Sequence, residues 1–200
     1  ALDAWATANI PHGHGPDVDA ECKALVKSLG AAGWLRHAVG ESSQTMDARA
    51  ICLIRETLAR HSGLADFAFA MQGLGSGAIS LHGTPEQRQK YLSKVATGEA
   101  ISAFALSEPD AGSDVAAMAC AAVADGDGYV LNGEKIYVTS GDRADLVVVW
   151  ATLDKSLGRA AIKSFVVEKG TPGFELARLE HKLGIRASDT AAFILKDCRV

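Results

Sequence analysis

The chain reads as an α+β protein: a helical half followed by an antiparallel β half, with the change near Glu99. Three observations predict this. Between Asp17 and about Thr97 the apolar residues recur at the three-to-four spacing of one helix face. After Ala100 the period drops to two, the alternation of a half-buried strand. Turn signals, Asn132-Gly133 and Gly170-Thr171-Pro172-Gly173, then punctuate the second half.

In order along the chain, Val18, Cys22, Leu25, Val26 and Leu29 define a first helix that Gly30 and Gly33 are expected to break. Ile51, Ile54 and Leu58, then Leu64, Phe67, Met71 and Leu74, continue the helical pattern. Gly83 suits the end of that run. Thr84-Pro85-Glu86-Gln87 then has the composition of a helix start, with a capping hydroxyl, a proline in the first turn and a glutamine closing a capping box. Ala100 to Leu106 predicts a buried or half-buried strand with Ser102, Phe104 and Leu106 on one face, ended by the Glu108-Pro109 step. Asp110, Ala111, Gly112, Ser113 and Asp114 form a turn cluster rich in hydroxyl, carboxylate and approachable backbone N–H groups. Tyr129 to Leu131 and Glu134 to Thr139 predict a hairpin around Asn132-Gly133. Its second strand is expected to turn Ile136 and Val138 one way and Lys135, Tyr137 and Thr139 the other. Asp145 to Thr152, Ile162 to Glu168 and Ala191 to Val200 are further strands.

Two hundred residues at 48% hydrophobic content can bury a sizeable core, and a net charge of -4 offers no basic field for nucleic acid or an anionic membrane. No apolar run approaches the roughly 20 residues that span a bilayer, and the first residues lack the charged and apolar regions of a secretory signal. Cys22, Cys52, Cys120 and Cys198 show no paired spacing, which argues for free thiols in a reducing compartment and against zinc. A soluble intracellular protein is expected. Gly73, Gly75 and Gly77 lack the dinucleotide-binding spacing and follow a helix rather than a strand, so they read as a close helix approach. His12 and His14 lack a third ligand, and His37, His61 and His82 are isolated, so no metal site is expected.

A ligand site suggests itself where an aromatic ring and a hydroxyl share a strand face, as Tyr137 and Thr139 do. If the strand ending at Leu106 neighbours this one, Phe104, Leu106, Ser107, Tyr137 and Thr139 form one site. At this point the residues resemble a known family. Ala105 to Ala117, ALSEPDAGSDVAA, matches a pattern of the flavin-dependent acyl-CoA dehydrogenases. LHGTPEQRQKYLSKVATGE precedes it, and NGEKIYVTSGDRAD, FVVEKGTPGF and HKLGIRASDTAAFILKDCRV follow in family order.

The resemblance implies an N-terminal helical domain over residues 1–99 and a middle antiparallel β-barrel domain over 100–200, with a C-terminal helical bundle to follow. It implies FAD as cofactor, lined by Phe104, Ala105, Leu106, Ser107, Gly112 and Ser113, with backbone groups at Leu106 and Ser107 on the pyrimidine edge. Tyr137 stands where members often carry tryptophan, Val138 follows it, and Thr139 directs its hydroxyl at the N5 region. Ser113 and Arg159 are implied contacts of the acyl-CoA, Arg159 to a CoA phosphate. The implied reaction is α,β-dehydrogenation of an acyl-CoA thioester to the 2-enoyl-CoA, with the family's base a glutamate of the C-terminal bundle. Glu108 matches a structural position of the pattern, so no catalytic residue is assigned within these residues. Implied partners are the acyl-CoA substrate, an electron-transfer flavoprotein and further copies of the chain as a dimer of dimers, in a bacterial cytoplasm or mitochondrial matrix. Two other readings keep the fold: an oxygen-using oxidase or monooxygenase, and a non-catalytic flavin- or CoA-binding subunit.

Overall fold

The structure, a computed structural model, describes residues 1–13, 15–40 and 46–200. His14 of the histidine pair lies outside the described residues. Two compact units divide the chain, one formed by Ala1–Ser102 with Lys182–Ser188, the other by Ala103–His181 with Asp189–Val200.

The first unit is helical. Helices α1 (Leu2–Asn9), α2 (Val18–Ala31), α3 (Ala48–His61) and α4 (Gly63–His82) are followed by α5, built of the contiguous pieces Pro85–Gln87, Arg88–Leu92 and Ser93–Thr97. Helix α4 packs against α2 and α3, and its near-continuous apolar composition lets it bury residues on several sides. Leu25, Val26, Leu29, Leu58, Phe69, Leu92 and Val95 fill the core. Side-chain oxygens of Asp17, Asp47 and Ser62 cap α2, α3 and α4. The capping box of α5 forms as expected: the Gln87 N–H donates to Thr84 Oγ1 at 3.2 Å and the Thr84 N–H to Gln87 Oε1 at 3.0 Å.

Gly30 does not break α2, which runs through it to Ala31. A Cβ there would lie 2.1 Å from the Thr97 carbonyl oxygen, so glycine is needed for the close approach of α2 to the end of α5. Gly73 serves the expected close approach, its added Cβ meeting the Ala38 oxygen at 2.9 Å, whereas Gly77 faces open space. Helix α1 went unread in the sequence. His61 is likewise not isolated: its Nε2 lies 2.8 Å from Asp3 Oδ1, and that hydrogen bond holds the Asp3 carboxyl below the usual range.

The second unit is a curled, mostly antiparallel sheet forming half a barrel. Its strands are β1 (Ser102–Ala105, whose first residue is counted with the first unit), β2 (Ala121–Asp125), β3 (Gly128–Thr139), β4 (Leu146–Thr152), β5 (Ile162–Glu168), β6 (Phe174–Leu179) and β7 (Thr190–Arg199). They run in the order β1-β4-β2-β3-β7-β6, with β5 also pairing β4. Leu131, Val147, Val149, Val167, Ala191 and Leu195 lie at the core.

The β3 hairpin corrects an expectation. Asn132-Gly133 is no turn: β3 passes straight through it, and the chain reverses at Asp125-Gly126-Asp127-Gly128 instead. Asn132 Oδ1 accepts from the Asp197 N–H at 2.9 Å, tying β3 to a register shift against β7 where Asp197 adopts φ 49°. Gly133 has φ 155°, and a Cβ on it would stand within 2.9 Å of three Cys120 atoms.

Candidate functional site

The site forms where the segment after β1 meets the middle of β3. Strand β1 itself pairs β4, so the direct β1–β3 neighbourhood expected from the sequence does not exist. Phe104 lies against Trp150 of β4, ring centres 6.0 Å apart and planes tilted by 59°. Only the chain beyond the end of β1 reaches β3. There the Ile136 N–H donates to the Ser107 oxygen at 2.9 Å.

Lys135 makes the second link. Its side chain is fully buried, and Nζ donates to the Leu106 oxygen at 3.0 Å and to Glu108 Oε1 at 2.7 Å. Glu108 is 5% exposed, and its carboxylate also accepts from the Ala119 N–H at 2.6 Å and the Cys120 N–H at 3.0 Å. A buried ion pair is tolerated only when the remaining hydrogen-bonding capacity is filled, and here three donors converge on one carboxylate. The Glu108 carboxylate is thereby engaged in holding the loop. Backbone bonds between Glu108 and Ala111, 3.0 and 3.2 Å, close the loop on itself.

The strict alternation expected over 135–139 fails for a stated reason. Between the pairs Lys135↔Phe193 and Val138↔Ala191, β3 carries one residue more than β7, a bulge with Tyr137 at φ 57°. The extra residue resets the faces. Lys135, Ile136 and Val138 are all buried, while the Tyr137 ring is 64% exposed and Thr139 half-buried. An exposed aromatic ring offers a flat apolar face against which a planar ligand can stack. Leu106 and Ser107 are half-buried beside this strand, and the Ser107 N–H meets no acceptor among the described residues.

The other expected site residues fall into three groups. Ala105 and Val138 turn their side chains into the core, leaving only backbone to face a ligand. Gly112 and Ser113 are exposed in the loop before the turn Val115–Ala117, whose start Asp114 caps through Oδ1. Arg159 is exposed in the helical turn Lys155–Ala161, which packs against Val115–Ala117, so the Ser113 and Arg159 segments lie together. Sequence reasoning missed Lys135 as a buried partner and Trp150, whose Nε1 is buried with no hydrogen-bond partner among the described residues. A lysine in a strand predicted to be half-buried, with a glutamate just upstream of proline, was the available signal for the ion pair. Cavities at Leu64, Phe67 and Ile185 and at Val147, Phe174 and Phe193 contain none of the expected residues.

Comparison with known proteins agrees with this architecture. Residues 3–99 match the family model for the acyl-CoA dehydrogenase N-terminal domain, and residues 103–198 match that for the middle domain. The chain belongs to the acyl-CoA dehydrogenase family. Among curated members, the short-chain specific acyl-CoA dehydrogenase of Clostridium acetobutylicum is 46% identical over 128 residues, 64% of this chain and 34% of that protein. The mitochondrial short-chain specific acyl-CoA dehydrogenase of Bos taurus is 41% identical over 182 residues, 88% of this chain and 44% of that protein. The solved structure of an acyl-CoA dehydrogenase complexed with FAD from Bacillus anthracis superposes with a TM-score of 0.83 at 32% identity, covering 100% of this chain and 35% of that one. This family member thus spans less than half the length of those relatives.

Proposed function

We propose that the protein carries the flavin-facing part of an FAD-dependent acyl-CoA dehydrogenase, which converts an acyl-CoA thioester to the 2-enoyl-CoA. The observation that carries this reading is the half-buried Leu106–Ser107 segment, anchored by Lys135 and Ile136, with an unclaimed Ser107 N–H beside the exposed Tyr137 ring. An isoalloxazine ring needs a flat apolar surface and donors along its pyrimidine edge, and these residues fit both needs. Leu106 and Ser107 would hold that edge, with Phe104, Ala105, Gly112 and Ser113 as its surroundings. Tyr137, with Val138 backbone beside it, would lie against the ring, and the Thr139 hydroxyl would serve the N5 region. When bound, FAD would supply the hydride-accepting chemistry of the reaction.

The chain's own residues then orient and screen. Ser113 and Arg159, on adjoining segments, would receive the acyl-CoA, with the Arg159 guanidinium suited to a CoA phosphate. Glu108 is not assigned as the base, because Lys135 and two N–H groups already engage its carboxylate. The base of the reaction belongs to the portion of the relatives' length that this chain does not span. An electron-transfer flavoprotein is the proposed acceptor and a dimer of dimers the proposed assembly.

The test is anaerobic titration, with acyl-CoAs of increasing length, of a purified protein that joins this chain to the region supplying the base. Flavin absorbance that bleaches on addition, and returns with electron-transfer flavoprotein but yields no peroxide in air, is the expected result. A protein without flavin absorbance overturns the reading, and rapid peroxide formation replaces it with the oxidase reading.

A further inference from the structure

The Leu106 carbonyl and the Ser107 N–H belong to one peptide group, and the two ends are treated differently. The carbonyl end receives a fully buried ammonium at 3.0 Å, while the N–H end meets no acceptor among the described residues. A charge-assisted bond to a carbonyl polarises the whole amide, and hydrogen bonds in series strengthen one another by roughly 10–30% each in a low-dielectric setting. The neighbouring peptide is arranged otherwise: the Ser107 carbonyl takes the Ile136 N–H, and the Glu108 N–H is spent on the Ala111 oxygen. Of these two peptides, the Leu106–Ser107 one has a cation at one end and, among the described residues, an open donor at the other.

The Lys135 bond to Leu106 ties the loop to β3, and it also places a charge on this one peptide. A buried Lys–Glu pair costs desolvation that a neutral pair of similar size would avoid. Glu108 already has two backbone N–H donors, so an uncharged side chain at 135 would not leave its carboxylate bare. The ammonium adds the bond to Leu106 that those donors cannot make.

We propose that Lys135 is a positioning residue that, through the Leu106 carbonyl, strengthens the Ser107 N–H as a donor and so raises the reduction potential of the bound flavin. The inference rests on the flavin reading given above. Reduction gathers negative charge on the pyrimidine edge, and a stronger donor there stabilises the reduced form more than the oxidised one. Glu108 keeps the ammonium buried and aimed, without itself touching the cofactor-facing peptide.

The experiment compares the flavin-loaded protein with Glu108→Gln and with the doubly neutral, near-isosteric Lys135→Met/Glu108→Gln variant. In the double variant the preference for reduced over oxidised flavin is expected to fall on the order of tenfold, about 30 mV in a two-electron potential. Glu108→Gln, which keeps the ammonium on Leu106, is expected to hold or raise the potential. Two variants that lose stability alike and leave the potential unchanged overturn the proposal and make the pair purely structural. A second readout needs neither flavin nor a variant: in the flavin-free wild type, the Leu106 carbonyl 13C and Ser107 amide 15N resonances should lie downfield of coil positions. Coil-like values overturn the polarisation. A wild type that binds no FAD while showing the downfield resonances defeats the flavin reading instead, so the two failures are distinguishable.

Discussion

Raising the pH should unlock the second unit through Cys120. This thiol follows the loop held by Glu108 and is 1% exposed. Burial is the chief cause that pushes it from 9.0 up to about 11; nearby Lys135 opposes the rise and Glu108 adds to it. The folded protein thus keeps the proton in a window, about pH 9 to 11, where the unfolded chain has released it. Stability from this group is complete below the unfolded value and is lost as pH climbs through the window, because the unfolded state there binds fewer protons than the native one. At about 1.4 kcal/mol per pH unit, the loss is about 3 kcal/mol. Urea unfolding of wild type and Cys120→Ala at half-unit steps from pH 7.5 to 11 isolates it, since other titrating groups cancel in the difference. The wild-type advantage over Cys120→Ala should shrink by that amount, with m unchanged. A difference that stays flat within about 0.5 kcal/mol refutes the reasoning. Buried Cys198 titrates in the same direction, its thiol also pushed up by burial, and stays in both proteins.

Gly133→Ala should cost about 3 kcal/mol, since it combines a backbone angle L-residues avoid with overlap onto Cys120, read as a drop in urea midpoint. Thr84→Ala removes one side of the capping box and should lower stability by about 1 kcal/mol, measured the same way. Arg159→Ala is expected to weaken acyl-CoA binding about tenfold, close to 1.4 kcal/mol, with the melting temperature unmoved because the side chain is exposed; titration calorimetry with an acyl-CoA checks it. Loss of that effect with dephospho-CoA esters would tie it to a phosphate.

The helical half was readable because its signals are local. A capping box needs only residues 84 and 87, and the spacing of Ile51, Ile54 and Leu58 marks the buried side of α3 without knowledge of what covers it. Strands β4, β5 and β7 were legible through their runs of β-branched and apolar residues. Strand β2, AAVAD, is too alanine-rich to announce itself, and β6 lies at the sheet edge with mostly exposed side chains, so neither had a pattern to read.

By itself, the sequence determined the class of fold, the order of helical and β regions, and through ALSEPDAGSDVAA the family and its implied cofactor. Those are properties of short windows, in which spacing and turn chemistry act between near neighbours. Only the tertiary structure decided that Asn132-Gly133 continues β3 opposite an extra residue of β7 and is not a turn, because the Asn132 amide answers Asp197, 65 residues away. It alone decided that Tyr137 faces out while Lys135 faces in, because one extra residue in β3 against β7 resets a period of two. The same pairing brought Lys135 to the Leu106 carbonyl across 29 residues of chain, and that contact turns a polar loop into a poised donor.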